Sequence, residues 1–120
     1  MVVLEHTRAG ENPHFDWLID QDGVSPLISF RTHTNPMDGP AEFNCVRTPD
    51  HRRAYLEFEG EISGGRGSVR RVARIVVECF ESDDDGSSIT VRARHAGSAI
   101  TWRVRSQSDG PWLATRESER

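Results

Sequence analysis

The sequence contains no lysine; all fifteen of its basic residues are arginine. Arginine's planar fork suits phosphate and carboxylate, although a base-composition bias of the genome produces the same pattern and most charged side chains serve a solvated surface. Cysteine is scarce. Cys45 and Cys79 stand far apart with no CxxC pair, which excludes a zinc framework and leaves two buried free thiols as the expected state. No apolar run approaches the ~20 residues of a membrane span. The start, Met1 to His6, lacks the basic region and long apolar stretch of a secretory signal, so the expected compartment is the cytoplasm, with no membrane contact. There is no GxSxG elbow and no P-loop. A net charge of -4 and a pI near 5.7 exclude the basic footprint of a general nucleic-acid binder.

What is present is dense β patterning. At 120 residues the chain reads as one domain, 1–120, able to bury roughly two-thirds of its unfolded surface. Strand-like segments are Val2–His6, His14–Asp20, Pro26–Arg31, Glu42–Arg47, Tyr55–Ile62, Val69–Glu81, Ile89–Arg94, Ala99–Arg105 and Pro111–Thr115. Turn signals separate them, including Asn35-Pro36, Asp38-Gly39-Pro40 and Asp83-Asp84-Asp85-Gly86. Asp50 reads as the cap of a short helical turn, and Arg116–Arg120 as a frayed tail. The pattern predicts an all-β fold, a small antiparallel β-barrel of about eight strands with at most one short helix; a sandwich is the second expectation.

Residues two apart on a strand share a face. If the first two segments form a hairpin with His6 opposite His14, then Leu4 faces Asp16, and His6, His14 and Asp16 come within reach of one another. Val2, Leu4 and Leu18 share that face, which predicts a polar group at the mouth of a barrel. Two imidazoles and a carboxylate without a thiolate suit Mn²⁺, Zn²⁺ or Fe²⁺, and three protein ligands leave open positions. His51 and Tyr55, four apart on a helical turn, would share a side and could supply a proton-transfer group and a phosphate or metal contact. The Gly64-Gly65-Arg66-Gly67-Ser68 stretch reads as a connecting loop.

Leu4-Glu5-His6, His14-Phe15-Asp16-Trp17-Leu18, Asp50-His51-Arg52-Arg53-Ala54-Tyr55-Leu56-Glu57-Phe58-Glu59-Gly60 and Trp112-Leu113, in that order, resemble the 3'-phosphoesterase domain of bacterial ATP-dependent DNA ligase D. The H…HxD and DHxxxYxxFEG segments carry the resemblance together over nearly the whole chain. It implies a small β-barrel that trims nucleic-acid 3' ends for DNA repair, with Mn²⁺ (or Zn²⁺) as cofactor. It also implies metal ligands His6, His14 and Asp16, further active-site residues His51 and Tyr55, nucleic-acid 3' ends as substrate, and a repair ligase or polymerase as partner. Three positions depart from the family: two phosphate-holding arginines are Leu18 and Phe43, and a glutamate is Pro49. Arg31, Arg52 and Arg53, with Arg47, are the candidates to hold phosphate instead. The departures sustain an alternative, a catalytically impaired module that binds a metal or a nucleic-acid end.

Overall fold

The computed structural model describes residues 1–119. Ten strands follow in chain order: β1 (Val2–Thr7), β2 (His14–Ile19), β3 (Leu27–Thr32), β4 (Glu42–His51), β5 (Gly60–Glu61), β6 (Ser68–Arg74), β7 (Val77–Ser82), β8 (Ser88–His95), β9 (Ser98–Arg105) and β10 (Trp112–Glu119), with a 3-10 turn at Arg53–Leu56. The fold is all-β. Every pairing is antiparallel, and one sheet runs in the order β5-β6-β1-β2-β3-β4-β10-β9-β8-β7. The end strands, β5 and β7, are not paired with each other. No described helix is long and apolar enough to cross a membrane.

Two stretches belong to both halves of this sheet. The first part of β4 pairs with β10, through Glu42–Cys45, and its second part pairs with β3. β6 runs into β7 across Ile75 and Val76 alone, so what reads in sequence as one strand serves opposite ends of the sheet. Alternation then builds the main core between the halves. Val3, Trp17, Ile19, Ile28 and Phe30 come from one side, and Val91, Ile100, Trp102 and Val104 from the other. Trp17 and Trp102 meet across it with ring centroids 6.1 Å apart.

The opposite face of β1–β2 carries a second, smaller core. Val2, Leu4, Leu18, Leu27 and Val69 are buried there beneath Tyr55, Leu56, Phe58 and Ile62. The segment supplying that cover was expected to be a strand. Instead Tyr55 and Leu56 both turn toward the same cluster, which consecutive strand residues cannot do, and only Gly60 and Glu61 pair, with β6. Arg71 fastens the segment: its backbone N–H donates to Glu59 Oε1 at 3.0 Å and its guanidinium to the Leu56 carbonyl at 3.3 Å.

Other expectations shift. β4 continues to His51, so Asp50 caps nothing; it pairs with Arg47 at 2.6 Å, and the 3-10 turn has no side-chain cap. The expected tail belongs to β10 as far as Glu119, paired with β9, with Arg120 outside the described residues; Arg116 donates to the carbonyls of Pro36 at 3.1 Å and Gly39 at 2.7 Å. Cys45 is a buried free thiol, its pKa pushed up by burial to about 12, but Cys79 is exposed on the outward side of β7.

Trp17 joins the halves. It is fully buried, tilts against Phe30, Phe43 and Trp102, and its indole N–H points at the Met1 sulfur at 3.0 Å. Trp17→Ala is expected to cost ~3–5 kcal/mol of stability, measured by urea denaturation; a loss below ~1 kcal/mol would contradict the bridging role.

Candidate active site

The hairpin register is the one the sequence pattern predicted: His6 stands opposite His14, and Leu4 opposite Asp16. Its parity sends Val3, Trp17 and Ile19 into the main core and leaves His6, His14 and Asp16 beside Leu4 and Leu18. The trio therefore sits on the second face of β1–β2, where the smaller core ends.

Its geometry is tight. His6 Nδ1 lies 3.2 Å from Asp16 Oδ2, and His14 Nε2 lies 3.2 Å from Asp16 Oδ1. The imidazoles meet edge to face at 4.7 Å. Neither contact is aligned as a hydrogen bond, so both nitrogens are buried without a partner. The opposite nitrogen of His6 is fixed: Nε2 lies 2.7 Å from the Arg66 carbonyl, which can only accept. In the neutral ring Nδ1 therefore presents a lone pair to a carboxylate. Burial, opposed by Asp16 and assisted by the charge of Arg31, lowers the His14 pKa and favours a neutral ring there too. A buried unpaired polar group costs ~1–3 kcal/mol, and the lone pair that a neutral His6 turns toward the carboxylate is repelled by it. A cation removes both penalties. The three donor atoms lie within 4.8 Å of one another, and the 3.2 Å separations suit donors held ~2.1 Å from one ion. A backbone carbonyl fixing the far nitrogen is also the usual outer support of a metal-binding histidine. The residues present thus fit a divalent ion.

His6 and Asp16 of the trio line a cleft of about 410 Å³ together with Arg31, His51, Arg52 and Tyr55, with Arg66 at its edge. His51, at the end of β4, and Tyr55, in the 3-10 turn, meet edge to face at 5.2 Å. They are joined by the bend between two elements rather than by one helix face. His51 Nδ1 donates to the Pro49 carbonyl at 3.1 Å, leaving Nε2 as the nitrogen without a backbone partner. A backbone oxygen orients the ring, which proline can supply as well as any residue.

The arginines divide. Arg31 and Arg52 are exposed and line the cleft. Arg31 stands opposite Asp16 across the β2–β3 pair and has no ion-pair partner among the described residues. Arg53 is elsewhere: it grips both Asp20 oxygens at 2.7 Å and the Ser25 carbonyl at 3.0 Å, so it braces the turn instead of holding phosphate. Arg47 is bound to Asp50, Ser29 and Thr48. The loop read as a plain connector contributes more than expected, since Arg66 supplies the His6 acceptor and lines the cleft. Gly67 makes that approach possible: at φ 91°, a Cβ there would collide with the Thr7 carbonyl. The signal in the sequence was arginine flanked by glycines, which let backbone pass close to a neighbouring strand.

Scanned against known protein families and curated proteins, the chain matches none.

Two outcomes follow. Titration with Mn²⁺ or Zn²⁺ raises the melting temperature, by about 2.7 kcal/mol of added stability at a hundredfold excess over Kd, and His14→Ala removes most of that gain; an unchanged melting temperature would remove the metal assignment. For the brace, the Arg53 guanidinium holds the Asp20 carboxyl well below the usual carboxylate range. Its contribution is complete above the unfolded value near 4 and is lost as pH falls toward the depressed folded value. Asp20→Asn therefore lowers the melting temperature by a few degrees at pH 7, and the gap to wild type narrows below about pH 4. A pH-independent gap would exclude the ion pair as its source.

Proposed function

We propose that this chain is a cytoplasmic metal-dependent phosphoesterase that trims nucleic-acid 3' ends in DNA repair, alongside a repair ligase or polymerase. One observation carries the reading: two buried imidazole nitrogens without a hydrogen-bond partner among the described residues converge on a carboxylate at the edge of a cleft that also holds a histidine, a tyrosine and two exposed arginines. The resemblance of the H…HxD and DHxxxYxxFEG segments supports it.

His6, His14 and Asp16 would hold the ion, Mn²⁺ or Zn²⁺, which supplies Lewis-acid polarisation of a phosphoryl oxygen. Arg31 and Arg52 bind and orient the phosphate as charge-assisted donors. His51, its ring set by the Pro49 carbonyl, offers Nε2 to the phosphoryl group or to the departing oxygen as general acid. Tyr55 packs the His51 ring in place and turns its hydroxyl to the phosphate. The apolar floor of Leu4, Ile62 and Val69 lowers the local dielectric and strengthens each of these contacts.

We also read the sheet as a small barrel. The chain passes from β6, next to the end strand β5, into the opposite end strand β7 across Ile75 and Val76, as β4 joins the halves at the other corner.

A second reading, a module that binds a metal or a nucleic-acid end without turnover, has its own support. Leu18 is fully buried and Phe43 is 6% exposed, both in cores, so neither position could present a guanidinium. Losing such a contact weakens transition-state stabilisation by about 3 kcal/mol.

The deciding measurement is phosphate release from a 3'-phosphorylated oligonucleotide with Mn²⁺. Turnover is expected, with kcat lowered on the order of 10²–10⁴-fold in His51→Ala and lost in His14→Ala. Metal and oligonucleotide binding without turnover at any divalent ion would overturn the enzyme reading in favour of the module.

A further inference from the structure

A recess opens off the cleft, between the 3-10 turn and the loop that leads into β6. Its volume is about 240 Å³, below the ~300–1,000 Å³ of a self-sufficient ligand pocket. It shares Arg52, Tyr55, Ile62 and Arg66 with the cleft, so it is an annex of the cleft rather than a separate site. The faces agree as well. Tyr55, Phe58 and Ile62 cover the small core on the second face of β1–β2, which is the face that carries His6, His14 and Asp16.

The annex differs from the cleft in character. Phe58 lines the annex and not the cleft. It meets Tyr55 edge to face at 5.6 Å, and Tyr55 meets His51 at 5.2 Å. Aromatic rings thus run without a break from His51 to the apolar wall of the annex. Charge is graded along the same path. At the shared boundary Arg52 is exposed and has no ion-pair partner among the described residues. Arg66 donates to neutral acceptors, the Ser63 carbonyl at 2.8 Å and the Ser63 hydroxyl at 3.2 Å, which leaves its charge uncompensated. Among the described residues that line the annex, Glu61 is the one carboxylate, and it does not line the cleft. A phosphate is therefore favoured at the boundary and opposed beyond it. The group that suits the annex is uncharged, partly apolar and equipped with hydrogen-bond donors.

We infer that the annex is the subsite for the 3'-terminal nucleoside: its base and sugar lie against Phe58 and Ile62 while its 3'-phosphate reaches across the boundary to His6, His14 and Asp16. Glu61 accepts a hydrogen bond from an N–H or O–H of that nucleoside. The inference rests on the phosphoesterase reading for the identity of the phosphate, and adds where the rest of the terminal nucleotide is bound. Contact between bases and aromatic rings is tolerant of base identity, so the subsite demands a base without choosing among the four.

The test compares two 3'-phosphorylated oligonucleotides, one ending in a normal nucleotide and one whose terminal residue is abasic, with Mn²⁺ present. Affinity and phosphate release are both measured. The base-containing ligand is expected to bind on the order of tenfold more tightly. Ala54→Trp fills the annex from an exposed position of the 3-10 turn. It is expected to bring the affinity ratio of the two ligands toward one while the binding of inorganic phosphate with Mn²⁺, which needs the cleft alone, is unchanged. Phe58→Leu keeps an apolar cover on the small core and removes the ring, and is expected to lower the same ratio. Equal binding of both ligands, absence of binding, or a ratio that survives both substitutions would overturn the subsite. Base-dependent binding that Ala54→Trp abolishes, without phosphate release, would leave the subsite standing and overturn the enzyme reading. Phosphate release indifferent to the base would do the reverse.

Discussion

The register between β1 and β2 is the constraint on which everything else depends. Strand side chains alternate with a period of two, so a slip of one residue would exchange the faces of the hairpin. In the observed register, Val3, Trp17 and Ile19 enter the main core, and Leu4 and Leu18 enter the smaller one. Burial on both faces makes every alternative register costly, at roughly 1.5–3 kcal/mol for each large apolar side chain exposed. His6, His14 and Asp16 are carried into place by this preference. Their desolvation is tolerated because the apolar residues around them have nowhere else to go.

Much of this was legible in the sequence, for a physical reason. The site lies on two short strands joined by a short polar loop, and parity alone fixes which side chains meet. The all-β class followed from the same alternation. Features that depend on distant packing were not legible. The 55–62 segment alternates like a strand, yet its aromatic and aliphatic residues are drawn together to roof the second face. The run from Val69 to Glu81 bends at Ile75 and Val76 to serve both sheet halves, which no local pattern announces. Arg53 and Arg52 are neighbours in a polar stretch, and only the position of Asp20, far back in the chain, decides that one is a brace and the other faces the cleft.

Cover and site are mechanically connected. The roof is strapped to β6 by Arg71 and to the turn after β2 by Arg53. Its Tyr55 ring lies 5.2 Å from His51 and 5.6 Å from Phe58. One side of the roof thus completes the small core, and the other forms a wall of the cleft. The backbone carbonyls of Arg66 and Pro49 orient the two key imidazoles. Side-chain changes at those two positions leave the acceptors in place, which relaxes the demand on sequence at points where the site is nonetheless exacting about geometry.

β4 gives the arrangement a further property. Its ten residues extend over roughly 30 Å, with Phe43 and Cys45 clamped in the main core and His51 at the opposite tip. Such a strand behaves as a stiff arm. The position of His51 is referred back to the deepest part of the molecule, and a thermal displacement of that ring relative to His6, His14 and Asp16 requires bending or sliding a whole hydrogen-bonded strand. Motions of this kind are collective and slow compared with side-chain rotation, so the distance between the two halves of the site is held by the frame of the protein itself.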